Sequence, residues 1–321
     1  MRILLKLFYL NYQKYIYQMV GFMNNVFLVG AAKAGTTTVE SVLSSNPDVS
    51  ISLVKEPNFY CNDLHKQFDE SVFNNLKNLS SLEDYSNIHS HAAIVRNKDV
   101  YEQLYKKNEI RLDASTNYLY SAVAAKNIYD DDQNAKIIII LRDPLKRSYS
   151  HWLMDRRIGF PVGSYYEELE KEYSNITDAK FSNSPLYISR SLYYEQVKRY
   201  FDLFPRKNIK VIYFEELFSD KYEYIMKDLH WFLGLECDEV IVDEKNKAMV
   251  PRFEKINNIM QVSGIKVFVR SILGEKAKQL LKGLVYKKND IKLDASLVPV
   301  EILNKFEEDY KKTKLLVNSG S

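Results

Sequence analysis

Apolar and polar positions divide the chain into alternating strand-like and helix-like runs. Asn25–Gly30 is apolar almost throughout and runs into small residues, after which Thr36–Ser45 takes up helical spacing. That order of strand, loop and helix is the opening unit of a parallel α/β sheet. Asp48–Val54 predicts a second strand, ending at Lys55-Glu56-Pro57. Residues 60–108 carry a mainly amphipathic helical pattern, clearest over Asp99–Lys107, and Ile110–Ala114 predicts a short strand. Lys136–Leu141 holds four consecutive isoleucines; such a run suits a strand buried on both faces of a parallel sheet. It stops at Arg142-Asp143-Pro144, where Asp143 can cap and Pro144 can open a helix through about Met154. Polar loop and helix follow over 155–190. Leu192–Phe204 then predicts a helix, Ile209–Phe214 a strand, and Tyr222–Leu233 a helix ended by Gly234. Beyond Glu244 the pattern is mostly helical and lysine-rich, with Val298–Leu316 as the last helix.

Length and composition fit this pattern. The 321 residues, 46% apolar and 27% charged, can bury one large α/β core. The expected fold is α/β: a single domain with a central parallel sheet flanked by helices and a P-loop-like strand-loop-helix phosphate site. It spans residues 24–321, and the part from about 255 is mostly helical. Residues 1–23 are aromatic and apolar in patches but interrupted by Lys6, Asn11, Gln13 and Lys14. They supply neither the roughly 20 apolar residues of a membrane span nor a signal-peptide core. They read as an N-terminal extension suited to weak contact with a membrane surface, on a cytoplasmic or membrane-peripheral protein.

Charge and cysteine content narrow the chemistry. A formal net charge of +3 leaves no nucleic-acid coat to expect, while allowing a local basic pocket for a phosphorylated ligand. Cys61 and Cys237 make no disulfide framework, the five histidines are scattered, and no metal is expected.

Two segments carry candidate chemistry. In Gly30-Ala31-Ala32-Lys33-Ala34-Gly35-Thr36-Thr37-Thr38, small residues let backbone N–H groups close around an anion at a helix N-terminus. Three hydroxyls and one ammonium complete a phosphate cradle. The nucleotide-triphosphatase loop needs Gly-Lys-Ser/Thr at its end, whereas here Thr36 stands in the lysine's place and the lysine lies inside the loop at 33. A plain Gly/Ala turn capped by threonines has the same composition. The second segment is Arg142-Asp143-Pro144-Leu145-Lys146-Arg147-Ser148-Tyr149-Ser150-His151. Arg142 follows a strand's carboxyl end, where open α/β sheets bind ligands, and Ser150 comes about two turns into the next helix. A guanidinium and a hydroxyl suit a terminal phosphate; a surface Arg142–Asp143 pair with a solvated Ser150 is the plainer alternative.

Together these motifs resemble the family of sulfotransferases that use 3′-phosphoadenosine 5′-phosphosulfate (PAPS), and among them the carbohydrate (heparan-type) members most. Ala-Ala-Lys-Ala-Gly-Thr-Thr is similar to that family's 5′-phosphosulfate loop, and Leu-Arg-Asp-Pro-x-x-Arg-x-Tyr-Ser-His to its 3′-phosphate motif. Lys55-Glu56-Pro57-Asn58-Phe59, Tyr213-Phe214-Glu215-Glu216-Leu217 and Phe232-Leu233-Gly234-Leu235 are further matches, so the likeness runs over about 25–255. The resemblance implies PAPS as co-substrate and no metal. It implies Lys33 at the leaving oxygen, with Ala34, Gly35, Thr36, Thr37 and Thr38 around the 5′-phosphate. Arg142 and Ser150 would hold the 3′-phosphate, and Phe214 would stand near the adenine where some members have tyrosine. Glu56 is the implied general base, because carbohydrate members use a glutamate after the second strand. Lys247 and Arg252 are weaker candidates from the C-terminal side, and His151 is read as structural.

The sequence also departs from the family. Where glycosaminoglycan members carry Glu-Lys-Ser/Thr, this chain has Asp113-Ala114-Ser115, so a lysine contact to the acceptor is missing. The expected acceptor group is a hydroxyl or amine of an oligosaccharide, polysaccharide or glycolipid, met by residues 60–110 and 155–190, including Arg156, Arg157, Tyr165 and Tyr166. The competing readings are a nucleotide kinase or triphosphatase, which would bind a magnesium triphosphate, and a non-catalytic module binding adenosine 3′,5′-bisphosphate.

Overall fold

A five-stranded parallel sheet occupies the positions where the apolar runs fall. The computed structural model describes residues 24–71, 76–84, 93–106, 110–236, 249–251, 286–288 and 292–319. The extension 1–23, Lys247, Arg252 and most of the helical pattern beyond 244 lie outside the described residues. In chain order the elements are β1 (Asn25–Gly30), α1 (Thr36–Leu43), β2 (Val49–Ile51), α2 (Asn62–Glu70), β3 (Lys77–Leu79) and β4 (Ala93–Val95). Next come α3 (Lys98–Gln103), β5 (Ile110–Asp113), α4 (Asn117–Tyr120), α5 (Ala124–Asp131), β6 (Lys136–Leu141), α6 (Pro144–Ile158) and α7 (Tyr165–Ser174). The remainder are α8 (Tyr194–Leu203), β7 (Ile209–Tyr213), α9 (Phe214–Leu217), α10 (Tyr222–Leu233), β8 (Met249–Pro251), β9 (Tyr286–Lys288) and α11 (Val300–Asn318).

Contacts group the chain into two compact units: residues 1–62, 77–141 and 199–243, and residues 63–76, 142–198 and 244–321. The first holds the sheet, in the order β2-β5-β1-β6-β7, every pairing parallel. The chain starts at the centre with β1, visits β2 and β5 on one side, and then β6 and β7 on the other. The order therefore reverses at β1, where open α/β sheets form a crevice beyond the strands' carboxyl ends. Ile137–Leu141 are fully buried, because a central strand covered on both faces has no polar face to present. Val39 and Leu43 bury one side of α1, and the Phe27 ring of β1 meets Tyr60 edge-on at 5.3 Å.

One stretch departs from the pattern. Among the described residues of 60–108 the structure is not mainly helical: β3 and β4 pair in parallel between α2 and α3. Three-residue strands are too short to show a period, and β4 is set by a distant partner. Ala93 N donates to Glu56 O at 3.3 Å and Val95 N to Pro57 O at 3.0 Å. The second strand is also shorter than Asp48–Val54, ending at Ile51.

In the second unit α6 runs four residues past Met154, to Ile158. Asp143 caps it by accepting from Lys146 N, and Gly159 ends it in the left-handed conformation at φ 94. Tyr149, Trp152 and Leu153 of α6 pack with Tyr165 and Leu169 of α7 and Ile302 and Phe306 of α11. Ser164 and Glu167 close a capping box at the start of α7.

Candidate active site

Beyond β1 the chain must turn sharply to enter α1, and glycine permits it at two points. Gly30 lies at φ 142, and a Cβ there would come within 2.9 Å of Leu119 Cβ and 3.1 Å of the Thr116 carbonyl. Gly35, at φ 90, is the N-cap of α1 and leaves 3.0 Å between its own would-be Cβ and the Phe218 ring. Between them Lys33 is also left-handed, at φ 71. Ala31 N donates to Ile140 O at 2.6 Å, tying the loop to β6. α1 starts with no side-chain cap and no acidic residue in its first turn. Its N-terminal N–H groups and dipole thus face an edge lined by Thr36, Thr37 and Thr38, which suits an anion. Ala34 and Thr36 are buried, Lys33 and Thr38 half-buried, and Thr37 exposed.

Phe214, the first residue after β7, packs against this loop: its Cδ2 lies 3.4 Å from where a Gly35 Cβ would be, and its ring sits 4.5 Å from Phe218. Ring and phosphate loop therefore share one edge of the sheet.

The loop after β2 brings two charged neighbours to the same edge and sends them to different partners. Lys55 Nζ donates to Thr37 Oγ1 at 2.8 Å and approaches Glu40 at 3.8 Å. Burial raises the Glu40 carboxyl above its ordinary range, Lys55 offsets this, and Glu56 and Asp113 add to the rise. Glu56 is half-buried and accepts from Thr116 Oγ1 at 3.1 Å. It sits at φ 51 and Asn58 at φ 53, with Pro57 between them. Left-handed backbone at a non-glycine residue costs on the order of 1–3 kcal/mol and persists only where neighbours over-determine it.

Those neighbours come from the turn after β5. Asp113 is fully buried and accepts from Tyr118 OH at 2.7 Å, Ser115 Oγ at 2.7 Å and Tyr101 OH at 2.9 Å. Burial raises its carboxyl despite those three donors, and raises the Tyr101 and Tyr118 phenols well above their usual value. Ser115 Oγ accepts from Asn58 N at 3.2 Å, and Asn117 Nδ2 donates to Asn58 Oδ1 at 2.9 Å. Sequence reasoning recorded Asp113-Ala114-Ser115 as a departure from a sugar-binding signature and missed Thr116. The available signal was four polar residues, Ser115 to Tyr118, directly after a strand's carboxyl end.

Arg142 and Ser150 belong to the second unit, on the lead into α6 and on the helix itself, both half-buried. Tyr193 OH donates to the Arg142 carbonyl at 3.0 Å. Arg147 is fully buried, donating through Nε to Ser191 Oγ at 2.6 Å and through Nη2 to Tyr187 O at 2.8 Å. His151 is buried with its ring edge-on to Tyr187 and Nε2 3.8 Å from Asp155. Tyr165, expected on an acceptor surface, is core instead: it is buried and shares a 2.6 Å hydrogen bond with Ser148. Tyr166 accepts from Asp294 N at 3.2 Å, and the Arg156 guanidinium lies 4.6 Å above the Trp152 ring. Among the described residues no group of three His, Cys, Asp or Glu side chains is placed to hold a metal.

Comparison with known proteins bears on the family and the fold. The sulfotransferase domain family model matches residues 23–315. Carbohydrate sulfotransferase 15 from Mus musculus is 23% identical over 264 residues, and the Rattus norvegicus protein 22%. Each match covers 70% of this chain but 46% of the relative, so the chain spans about half the length of the curated relatives it matches. A sulfotransferase from Alicyclobacillus acidocaldarius superposes with a TM-score of 0.62 at 25% identity, over 92% of this chain and 96% of that one.

Proposed function

For a chain that belongs to the sulfotransferase domain family, we propose transfer of a sulfuryl group from PAPS to a carbohydrate hydroxyl. The acceptor oxygen forms a bond to sulfur as the bond from sulfur to the bridging phosphate oxygen breaks. That bond's electron pair leaves on adenosine 3′,5′-bisphosphate, and the acceptor's proton passes to Glu56. Lys33 stabilises the charge growing on the leaving oxygen. Ala34, Gly35 and Thr36–Thr38 hold the 5′-phosphate, Arg142 and Ser150 the 3′-phosphate, and Phe214 flanks the adenosine. Such catalysis is positioning plus charge stabilisation.

The observation that carries the reading is the uncapped, acid-free start of α1, preceded by left-handed Lys33 and flanked by the loop of Glu56. A carbohydrate acceptor, as an oligosaccharide, polysaccharide or glycolipid, is supported by the Glu56 motif and the likeness to carbohydrate sulfotransferase 15.

Glu56→Gln tests the base. Turnover should fall by about 100-fold or more, in the range of lost general-base catalysis, while the bisphosphate's Kd stays within about twofold. Full turnover in the variant would remove Glu56 from the mechanism.

A further inference from the structure

We infer that Thr116 is a positioning residue that sets the Glu56 carboxylate for proton abstraction, with the Asp113–Tyr118 turn as its rigid base. The inference rests on the reading of Glu56 as the general base.

The loop carrying Glu56 is held only in part by its own bonds, chiefly Asn58 Nδ2 to Glu56 O at 2.7 Å. Two left-handed residues, Glu56 and Asn58, flank Pro57, so the loop needs an external template. The turn after β5 supplies one. Tyr118 OH accepts from Phe59 N at 3.0 Å, Ser115 Oγ accepts from Asn58 N, and Asn117 grips the Asn58 side chain. Asp113 beneath them fixes both Ser115 and Tyr118. These bonds hold main chain and the Asn58 amide. Thr116 differs in kind: its hydroxyl donates to the carboxylate itself, at Oε2. Engaging Oε2 restrains rotation of the carboxylate, and on this inference the incoming proton goes to Oε1.

Thr116 also meets the donor loop. Its carbonyl lies 3.1 Å from where a Gly30 Cβ would stand. One residue thus bonds the base through its side chain and lies close to the first residue of the phosphate loop through its backbone, so base and donor loop share a reference point. A displacement of about 1 Å at a reacting group is enough to cost turnover.

The test is a double-mutant cycle on the full chain: wild type, Thr116→Val, Thr116→Ser, Glu56→Gln and Thr116→Val/Glu56→Gln. Transfer from sulfur-labelled PAPS is followed with desulfated glycosaminoglycan oligosaccharides as acceptors and with water as the acceptor of last resort. Calorimetry gives the Kd of adenosine 3′,5′-bisphosphate. Thr116→Val should lose about tenfold or more in kcat, with acceptor KM and bisphosphate Kd within about twofold, because positioning acts on the transition state. Thr116→Ser should recover to within about threefold of wild type, and the double variant should be no slower than Glu56→Gln, as expected of residues acting as a unit. Full turnover in Thr116→Val, or losses that multiply in the double variant, would overturn the inference. Full turnover in Glu56→Gln would instead sink the base reading beneath it, so the two failures are distinguishable. A crystal structure of Thr116→Val with the bisphosphate gives an answer independent of any acceptor: a rotated Glu56 carboxylate supports the inference, and an unmoved one contradicts it. Should Thr116→Val not fold, Thr116→Ala carries the same comparisons.

Discussion

Replacing Asn58 separates the two forces that shape the base loop. Asn58 is fully buried, and its Nδ2 donates to Glu56 O at 2.7 Å and Ala93 O at 3.0 Å while its Oδ1 accepts from Asn117 at 2.9 Å. Asn58→Ala removes these three bonds, at about 1 kcal/mol each net, together with a weak bond from Cys61 Sγ to Oδ1. It also places alanine at φ 53, where asparagine is tolerated and alanine costs about 1–2 kcal/mol. The expected loss is roughly 4–5 kcal/mol of unfolding free energy. Asn58→Gly loses the same bonds but no left-handed penalty. Allowing about 0.5 kcal/mol for glycine's freer unfolded chain, it should be more stable than the alanine variant by about 0.5–1.5 kcal/mol. Urea titrations of the three proteins measure both differences. An alanine variant within about 0.5 kcal/mol of wild type would mean that Asn58 does not hold the loop. A glycine variant less stable than the alanine one would refute the left-handed assignment at 58.

Other consequences can be tested alongside. Arg142→Ala should weaken binding of adenosine 3′,5′-bisphosphate by about 10–100-fold, the worth of charge-assisted hydrogen bonds to a phosphate, and Ser150→Ala by about fivefold; calorimetry decides, and unchanged Kd values would strip both of the 3′-phosphate role. Because burial holds the Glu40 carboxyl above its ordinary 4.5, the folded chain binds that proton more tightly than the unfolded chain. Stability from this group therefore falls as pH rises through the window above 4.5. Lys55→Met removes the offsetting cation, so the decline of Tm between about pH 4 and 7 should steepen relative to wild type; an unchanged slope would mean that Lys55 does not act on Glu40.

Legibility in the sequence followed the range of the interactions. β1 and β6 were readable because each is a local apolar run, and the start of α6 because Asp143 and Pro144 are a cap and a first-turn residue in the chain itself. The phosphate loop was readable because its glycines, lysine and threonines are contiguous. β3 and β4 were not, since three residues have no period and β4 is bonded to Glu56 and Pro57, far away in sequence. Tyr165 looked like surface because its neighbours on α7 are acidic, yet its own position faces Ser148 and the core of the second unit. Thr116 lay hidden for a similar reason. A threonine after a strand has many uses, and only the fold brings its hydroxyl to a glutamate 60 residues earlier.

The central claim is that this chain moves a sulfuryl group from PAPS, and direct transfer from sulfur-labelled PAPS across a panel of oligosaccharide, polysaccharide and glycolipid acceptors tests it. The account predicts a labelled sugar product and adenosine 3′,5′-bisphosphate released in equal amounts, with both lost in Lys33→Ala. Binding of a magnesium nucleoside triphosphate without affinity for the bisphosphate would contradict the account, as would bisphosphate binding with no transfer to any acceptor in the panel.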